Sequence, residues 1–287
     1  MAMFSAKLIS DIKKELNKIS FNINGEFDVL KVKDDFALIS FETENACYLI
    51  EYYEDGKDII NVDAISQLEN NGINIGIEGI GDRIIIYKDF VNSGFYRYIN
   101  DKDFEDEIVV RKLARWYKNI HSIKGESLAD YYVFFDMAVI REMMVKLRVE
   151  NNVFLRYVIK NFDNIKLKLE RLSKCFVYGK NVIENLVVSK EKGALFVERV
   201  INFSKGNRAV DIAFVLSEIN DCMRSVFMEE YGTVSEEEFL INDVVGCVIA
   251  LCKASKESFF PSWAKDYLSL INDEELFKKV KTLVEWF

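Results

Sequence analysis

The chain has 287 residues, half of them hydrophobic, which is enough to build a sizeable core in one large domain or in two lobes. Its 38 basic and 47 acidic residues give a formal net charge of -9, which argues against non-specific binding to nucleic acid or to anionic membranes. The sequence has no signal-peptide core, no run of roughly 20 apolar residues and a single histidine, so we expect a cytoplasmic protein without a membrane span or Ser-His catalysis.

The N-terminal third predicts a helix, then a sheet. Leu8, Ile12 and Leu16 recur at helical spacing, whereas from Glu26 onward apolar and polar residues alternate, which indicates strands joined by short polar turns. The predicted elements are a helix over residues 4–19, strands over 27–33, 36–42 and 46–53, a helix over 61–71, and strands over 73–77 and 83–87. A meander of this kind is typical of an antiparallel sheet.

After Gly94 the sequence predicts helices, with one exception. A capping box, Ser235-Glu-Glu-Glu238, marks the start of one of them. The predicted helices cover residues 103–122, 127–149, 151–173, 208–230, 235–254, 260–271 and 273–286. Because the strand signals stop near residues 91–95, we expect two domains, residues 1–91 and 92–287.

The exception is a hairpin. Two apolar runs of strand length, Asn185–Val188 and Ala194–Val197, flank the polar turn Ser189–Gly193. Apolar runs on either side of a turn that contains glycine predict a tight antiparallel hairpin.

The polar residues around this hairpin are spaced as in the catalytic segment of the aminoglycoside phosphotransferase and choline kinase family, which the chain resembles. In that family an HGDxxxxN loop leads into a strand, a turn, a second strand ending in Asp, and a helix that begins with Asp. Tyr178-Gly-Lys180 stands at the His-Gly-Asp, Asn185 at the Asn, Glu198 at the strand-end Asp and Asp211 at the helix Asp.

The resemblance implies an α+β, two-lobed protein-kinase-like fold, with a small antiparallel-sheet N-lobe and a large helical C-lobe. The segment LARWYKNIHSI resembles the helix that precedes the catalytic loop in the family, and it places His121 beneath that loop. Tyr87 to Gly94, including Asp89, would form the interlobe hinge, whose backbone groups would meet an adenine.

The catalytic chemistry of the family does not map onto these residues. A loop Asp accepts or orients the substrate proton, whereas a charged Lys180 cannot, unless burial lowers its pKa by roughly 3 units. Lys180 is then a solvated loop lysine or an anion-binding group. Asn185 and Glu198 retain oxygen atoms that can hold magnesium, although they can equally bond their own turn or face solvent. Glu184 is a candidate for a relocated base.

Two acidic residues stand where the resemblance implies a phosphate-binding lysine and its acidic partner. Glu51 falls at the lysine of the third strand and Asp63 at the acid of the following helix, and Lys57 is an alternative cation. A carboxylate about 4 Å from a phosphate costs roughly 4 kcal/mol where a lysine would have gained as much. Binding of ATP in the usual pose is therefore disfavoured.

Three residues are expected to have structural roles. We expect Asp211 to be buried and hydrogen-bonded, because in the family this residue braces the catalytic loop. We expect His121 to be a satisfied core histidine, and Tyr178 to pack its ring where the loop histidine would lie.

The leading hypothesis is a catalytically impaired kinase-fold protein, a pseudokinase, that binds a small molecule or a protein in the interlobe cleft. The alternatives are an active kinase that uses ATP and magnesium on a small-molecule hydroxyl, and a structural protein of the coat type. The cofactor is open: ATP and magnesium apply only if the protein is active.

Overall fold

The fold is described from a computed structural model of the chain. It covers residues 2–21, 25–33, 36–44, 46–54, 62–73, 76–126, 128–178, 186–197 and 203–285. The chain divides into two compact units. One unit comprises the described residues of 1–120, 181–202 and 220–231, and the other those of 121–180, 203–219 and 232–287. The expected domain boundary near residue 91 stays a prediction.

The elements follow one another in the order that the sequence patterns indicate for most of the chain. Up to residue 121 they are α1 (Ala2–Lys18), β1 (Glu26–Lys33), β2 (Phe36–Glu42), β3 (Cys47–Tyr53), α2 (Val62–Asn70), β4 (Ile77–Ile80), β5 (Ile84–Lys88), β6 (Tyr96–Tyr98) and α3 (Glu107–His121). They continue with α4 (Met137–Leu147), α5 (Val153–Lys160), α6 (Phe162–Arg171), β7 (Cys175–Val177), β8 (Leu186–Ser189), β9 (Leu195–Val197), β10 (Ser204–Gly206), α7 (Ala209–Glu218), α8 (Asp221–Tyr231), α9 (Glu236–Lys256), α10 (Lys265–Leu270) and α11 (Glu274–Glu285).

The N-terminal sheet is antiparallel, with five strands in the order β1-β2-β3-β5-β4. Its core forms because alternate residues of β2 and β3 point to the same face, where they pack on the apolar stripe of α1. Ile12 and Leu16 of that stripe are fully buried. The three-strand meander and the helix before it are therefore confirmed.

The strand predicted over residues 73–77 was wrong. The strand instead begins at Ile77, whose register partner is Tyr87, and runs to Ile80. Gly76, just before it, has a positive φ of 62°, which turns the chain and which favours glycine. Ile73 is buried and its N–H donates to the carbonyl of Leu68 in α2, so it is not part of the strand, and residues 74–75 lie outside the described residues.

The predicted hairpin is confirmed. β8 and β9 pair antiparallel, with Val187 opposite Phe196. Its turn is closed by two bonds between Ser189 and Ala194: the N–H of Ser189 donates to the carbonyl of Ala194 at 3.0 Å, and the N–H of Ala194 donates to the Ser189 hydroxyl at 3.0 Å. β6 joins the other edge of β8. That strand was not predicted, and neither were β7 and β10, because three residues are too few to show an alternation.

Two predicted helices, over 151–173 and 208–230, are each divided in two in the structure, and those over 103–122 and 127–149 begin later than predicted. At three of the new helix starts a short polar side chain accepts backbone N–H groups. Asp106 accepts from Ile108 and Val109 at the start of α3, Asp136 caps α4, and Asn220 accepts from Met223 at the start of α8. The predictions over 103–122, 127–149, 151–173 and 208–230 were wrong in these boundaries.

The core of the second unit surrounds α9. This helix begins at the predicted capping box: the Ser235 hydroxyl accepts the N–H of Glu238, and the Glu238 carboxylate accepts the N–H of Ser235. Its apolar residues are buried on several faces and pack with α4, α5, α6 and α11. Within the described residues, no helix has the length and apolar character needed to cross a membrane.

Candidate functional site

Asp211 organises the first group of predicted site residues. It lies in the first turn of α7, and 2% of its surface is exposed. One oxygen, Oδ2, accepts the backbone N–H of Tyr178 at 2.8 Å and lies 3.0 Å from Nε2 of His121. The expected burial and hydrogen bonding of Asp211 are thus observed. The Asp211 carboxylate therefore holds the backbone of Tyr178, the last described residue before the segment 179–185.

His121 and Tyr178 complete this group. The side chain of His121 is almost fully buried at the end of α3, and its ring N–H donates to the Asp211 carboxylate. Tyr178 is also buried, and its ring packs edge-on against Phe203 with the centroids 5.3 Å apart. The three predicted structural residues therefore lie together, joined by the two polar contacts of the Asp211 carboxylate.

Glu51 forms a second centre, in the N-terminal sheet. Its carboxylate is fully buried, and Oε2 accepts hydrogen bonds at 3.2 Å from the hydroxyls of both Tyr53 and Tyr87. Glu51 and Tyr53 share a face because they are two residues apart on β3, and Tyr87 lies two residues beyond Ile85, the register partner of Glu51. Glu51 and Tyr87, two predicted site residues, are thus in direct contact.

The other predicted hinge residue, Asp89, is bonded locally. Its carboxylate accepts the backbone N–H of Asn92 at 2.9 Å and the side-chain amide of Asn92 at 2.6 Å, which holds the turn after β5. Asp63, by contrast, is exposed in the first turn of α2. A carboxylate at that position interacts favourably with the positive end of the helix dipole, as any acidic residue in a first turn would.

Four predicted residues lie outside the described part of the chain: Lys180, Glu184, Asn185 and Glu198. The alternative cation Lys57 lies outside it too. Their assignment as catalytic, phosphate-binding or magnesium-binding groups stays a prediction. In the ranges that the structure does describe, no group of three or more His, Cys, Asp or Glu side chains is placed to hold a metal ion.

One polar network was missed by sequence reasoning. Glu238 accepts hydrogen bonds at 2.9 Å from Asn207 and, through both oxygens, from Arg208. Burial alone would raise the pKa of Glu238, but the bonds from Arg208, the Ser235 N–H and Asn207, with the charge of Arg208, lower it to about 2. The capping box predicted the contact between Glu238 and Ser235. Asn207 and Arg208 lie about 30 residues earlier in the chain, and no sequence pattern indicated that they contact Glu238.

Comparison with known proteins gives a result only at the level of structure. No sequence-family model and no curated protein sequence matches the chain. Among solved structures, choline kinase LicA from Streptococcus pneumoniae is similar with a TM-score of 0.64 and 14% identity, over 96% of this chain and 99% of that chain.

Two further structures give the same picture. Spectinomycin phosphotransferase APH(9)-Ia, in complex with ADP and spectinomycin, has a TM-score of 0.60 at 13% identity, over 97% of this chain and 98% of that chain. A choline/ethanolamine kinase family protein from Mesorhizobium loti has a TM-score of 0.63 at 11% identity, over 96% and 99%.

The chain therefore has a two-lobed kinase-like fold, with a small antiparallel-sheet N-lobe and a helical C-lobe. The fold is the one found in choline kinases and in aminoglycoside and macrolide phosphotransferases. The resemblance inferred from the hairpin segment is confirmed as a likeness of fold, and function has to be argued from the residues.

Proposed function

We propose that this kinase-fold protein has lost phosphoryl transfer by the mechanism of the family it resembles, and that it acts by binding a small molecule or a protein. The observation that carries the proposal is Glu51. It stands in the third strand, where the resemblance implies a lysine that holds the nucleotide phosphates, and its carboxylate is fully buried.

The surroundings of Glu51 strengthen the argument. Two hydroxyl groups, of Tyr53 and Tyr87, donate to its carboxylate, so its position is set by the sheet and not by a flexible rotamer. In either protonation state this group offers a phosphate no positive charge, and an ionised carboxylate about 4 Å from a phosphate opposes binding by roughly 4 kcal/mol at an effective dielectric constant near 20.

The sequence of the loop points the same way. A lysine, Lys180, occupies the position of the family's proton-accepting Asp. A protonated amine has no lone pair with which to accept a proton. Because the phosphate-binding and proton-accepting positions have both changed the sign of their charge, a single compensating group would not restore the reaction.

The first test is thermal unfolding of the purified chain with and without ATP and magnesium. A ligand of the folded state at about 100 times its Kd stabilises by about 2.7 kcal/mol, which raises the midpoint by several degrees. We expect no magnesium-dependent shift for the wild type with nucleotide at about 1 mM, well above the Kd of an intact nucleotide site.

Two variants sharpen this test. Glu51→Gln removes the buried charge and keeps the shape, whereas Glu54→Gln removes one charge from an exposed position at the end of the same strand. A shift that appears in Glu51→Gln alone would assign the loss of nucleotide binding to the buried carboxylate. A clear shift in the wild type would contradict the proposal.

An active kinase with relocated groups is the second candidate. It is favoured by the extent of the structural likeness, which covers 97% of this chain for a spectinomycin phosphotransferase solved with ADP and spectinomycin. Glu184 would then act as the base, with Asn185 and Glu198 holding magnesium. On this view Glu198→Ala abolishes turnover of ATP in the presence of hydroxyl substrates, and unchanged turnover removes the candidate.

A further inference from the structure

A cavity of about 740 Å³ lies within the unit built around α9, and neither proposed function uses it. Its wall comprises the loop after α3, the end of α6, β7, β10 and the start of α9. Pockets for small molecules usually measure about 300–1,000 Å³, so this partly open one has room for a compact metabolite.

Basic side chains dominate the wall. They come from five positions: Lys124, Arg171, Lys174, Lys205 and Arg208. Two of these cations already have partners, because Lys174 pairs with Asp130 at 2.6 Å and Arg208 pairs with Glu238 through two bonds of 2.9 Å.

The other three cations, Lys124, Arg171 and Lys205, have no carboxylate partner among the described residues. Glu126 is the other acidic residue of the wall beside Glu238. The cavity therefore has a net positive charge, although the whole chain carries -9.

We propose that this cavity binds a small phosphorylated molecule through its phosphate group. A phosphate dianion offers several acceptor oxygens to cations on separate elements, and a guanidinium such as that of Arg171 can donate to two of them. Large polyanions fit less well, because the negative charge of the whole chain repels an extended nucleic acid or an anionic membrane, while a concave wall screens a small ligand from that field.

This inference does not depend on the loss of phosphoryl transfer. It can be tested by measuring the binding of inorganic pyrophosphate in the absence of magnesium. We expect saturable binding by isothermal titration calorimetry, and at least about tenfold weaker binding by the double variant Arg171→Gln/Lys205→Gln. The matched control, Arg156→Gln/Lys160→Gln, removes the same two kinds of charge from exposed positions of α5 and should bind within about twofold of the wild type.

A variant of the wall, the unfolding midpoints and a second anion provide further tests. Glu126→Gln removes an acidic group of the wall and should tighten binding. Unfolding midpoints without ligand must match for all variants. Citrate, a carboxylate anion, should bind at least about tenfold more weakly than pyrophosphate. The proposal is overturned by a wild-type Kd above about 1 mM, by equal losses in both double variants, or by equal binding of citrate.

Discussion

At the scale of single residues, one buried carboxylate oxygen serves two donors from distant parts of the chain. Oδ2 of Asp211 accepts from the backbone of Tyr178 and faces the ring of His121, which is 90 residues away in the sequence. A buried anion of this kind is stable only while its donors remain, since leaving it unpaired costs several kcal/mol. The cluster therefore links residues 121, 178 and 211 within one unit.

Asp211→Asn should destabilise the protein by about 1.5–3 kcal/mol, because the amide replaces charge-assisted hydrogen bonds with neutral ones. Denaturant unfolding followed by circular dichroism measures the change. The matched control is Asp266→Asn at an exposed position of α10, which should change stability by less than about 0.5 kcal/mol. Equal stability of the two variants would mean that Asp211 does not brace this part of the fold.

Sequence reasoning placed some residues near one another but did not give their partners. The hairpin segment placed Tyr178 and Asp211 at the catalytic loop of the family, and the resemblance of LARWYKNIHSI placed His121 beneath the same loop. The cage around Glu51 was not foreseen, since it depends on the register of β3 against β5, which sequence alone does not give. A strand shifted by one residue would turn Glu51 to the other face.

At the scale of elements, the start of α9 is tied to the segment before α7 by the Glu238 network. The carboxylate caps its own helix and also receives Arg208 and Asn207. The pKa of Glu238 is lowered to about 2 in the folded chain, from an ordinary value near 4.5. A lowered pKa means that the stabilisation is present above about pH 4.5 and is lost as the pH falls toward 2.

Glu238→Gln should therefore destabilise the chain by on the order of 2 kcal/mol near pH 7, after allowance for solvent screening. The difference in unfolding free energy between variant and wild type should shrink as the pH falls from about 5 to about 3, because protonation of Glu238 removes its stabilising interactions in the wild type. Urea unfolding across this range measures both values. Glu236→Gln, in the same helical turn but exposed, should show no such convergence.

Sequence patterns located most helices and strands but misjudged where helices end. Periodicity predicted a single helix over 208–230, because apolar spacing continues through the break, whereas Asn220 begins a second helix there. A cap of this kind depends on one side-chain rotamer, so an apolar stripe does not reveal it. The three-residue strands were not predicted, for the related reason that three positions are too few to show an alternation of apolar and polar residues.

At the scale of the whole molecule, the fold is shared with its structural neighbours although sequence identity with them is only 9–14%. The order of a helix, three strands, a helix and two strands was readable because each element has its own periodicity. The division into two compact units could not be predicted from the sequence, since it depends on which later segments pack with the N-terminal part.

The overall charge of -9 predicts that the chain does not bind duplex DNA non-specifically. Fluorescence anisotropy with a labelled duplex at about 0.15 M salt should show no saturable increase, with a strongly basic protein as the positive control. Binding that weakens steeply with added salt would contradict this, and would indicate that the positive cavity wall extends into a larger basic surface.

The cage around Glu51 makes two strands depend on one side chain. Exchange of this residue for lysine alone would bury an ammonium group against two hydroxyls that now donate to a carboxylate, so both hydroxyls would have to turn and accept from it. Any change of charge at this position therefore affects β3 and β5 together.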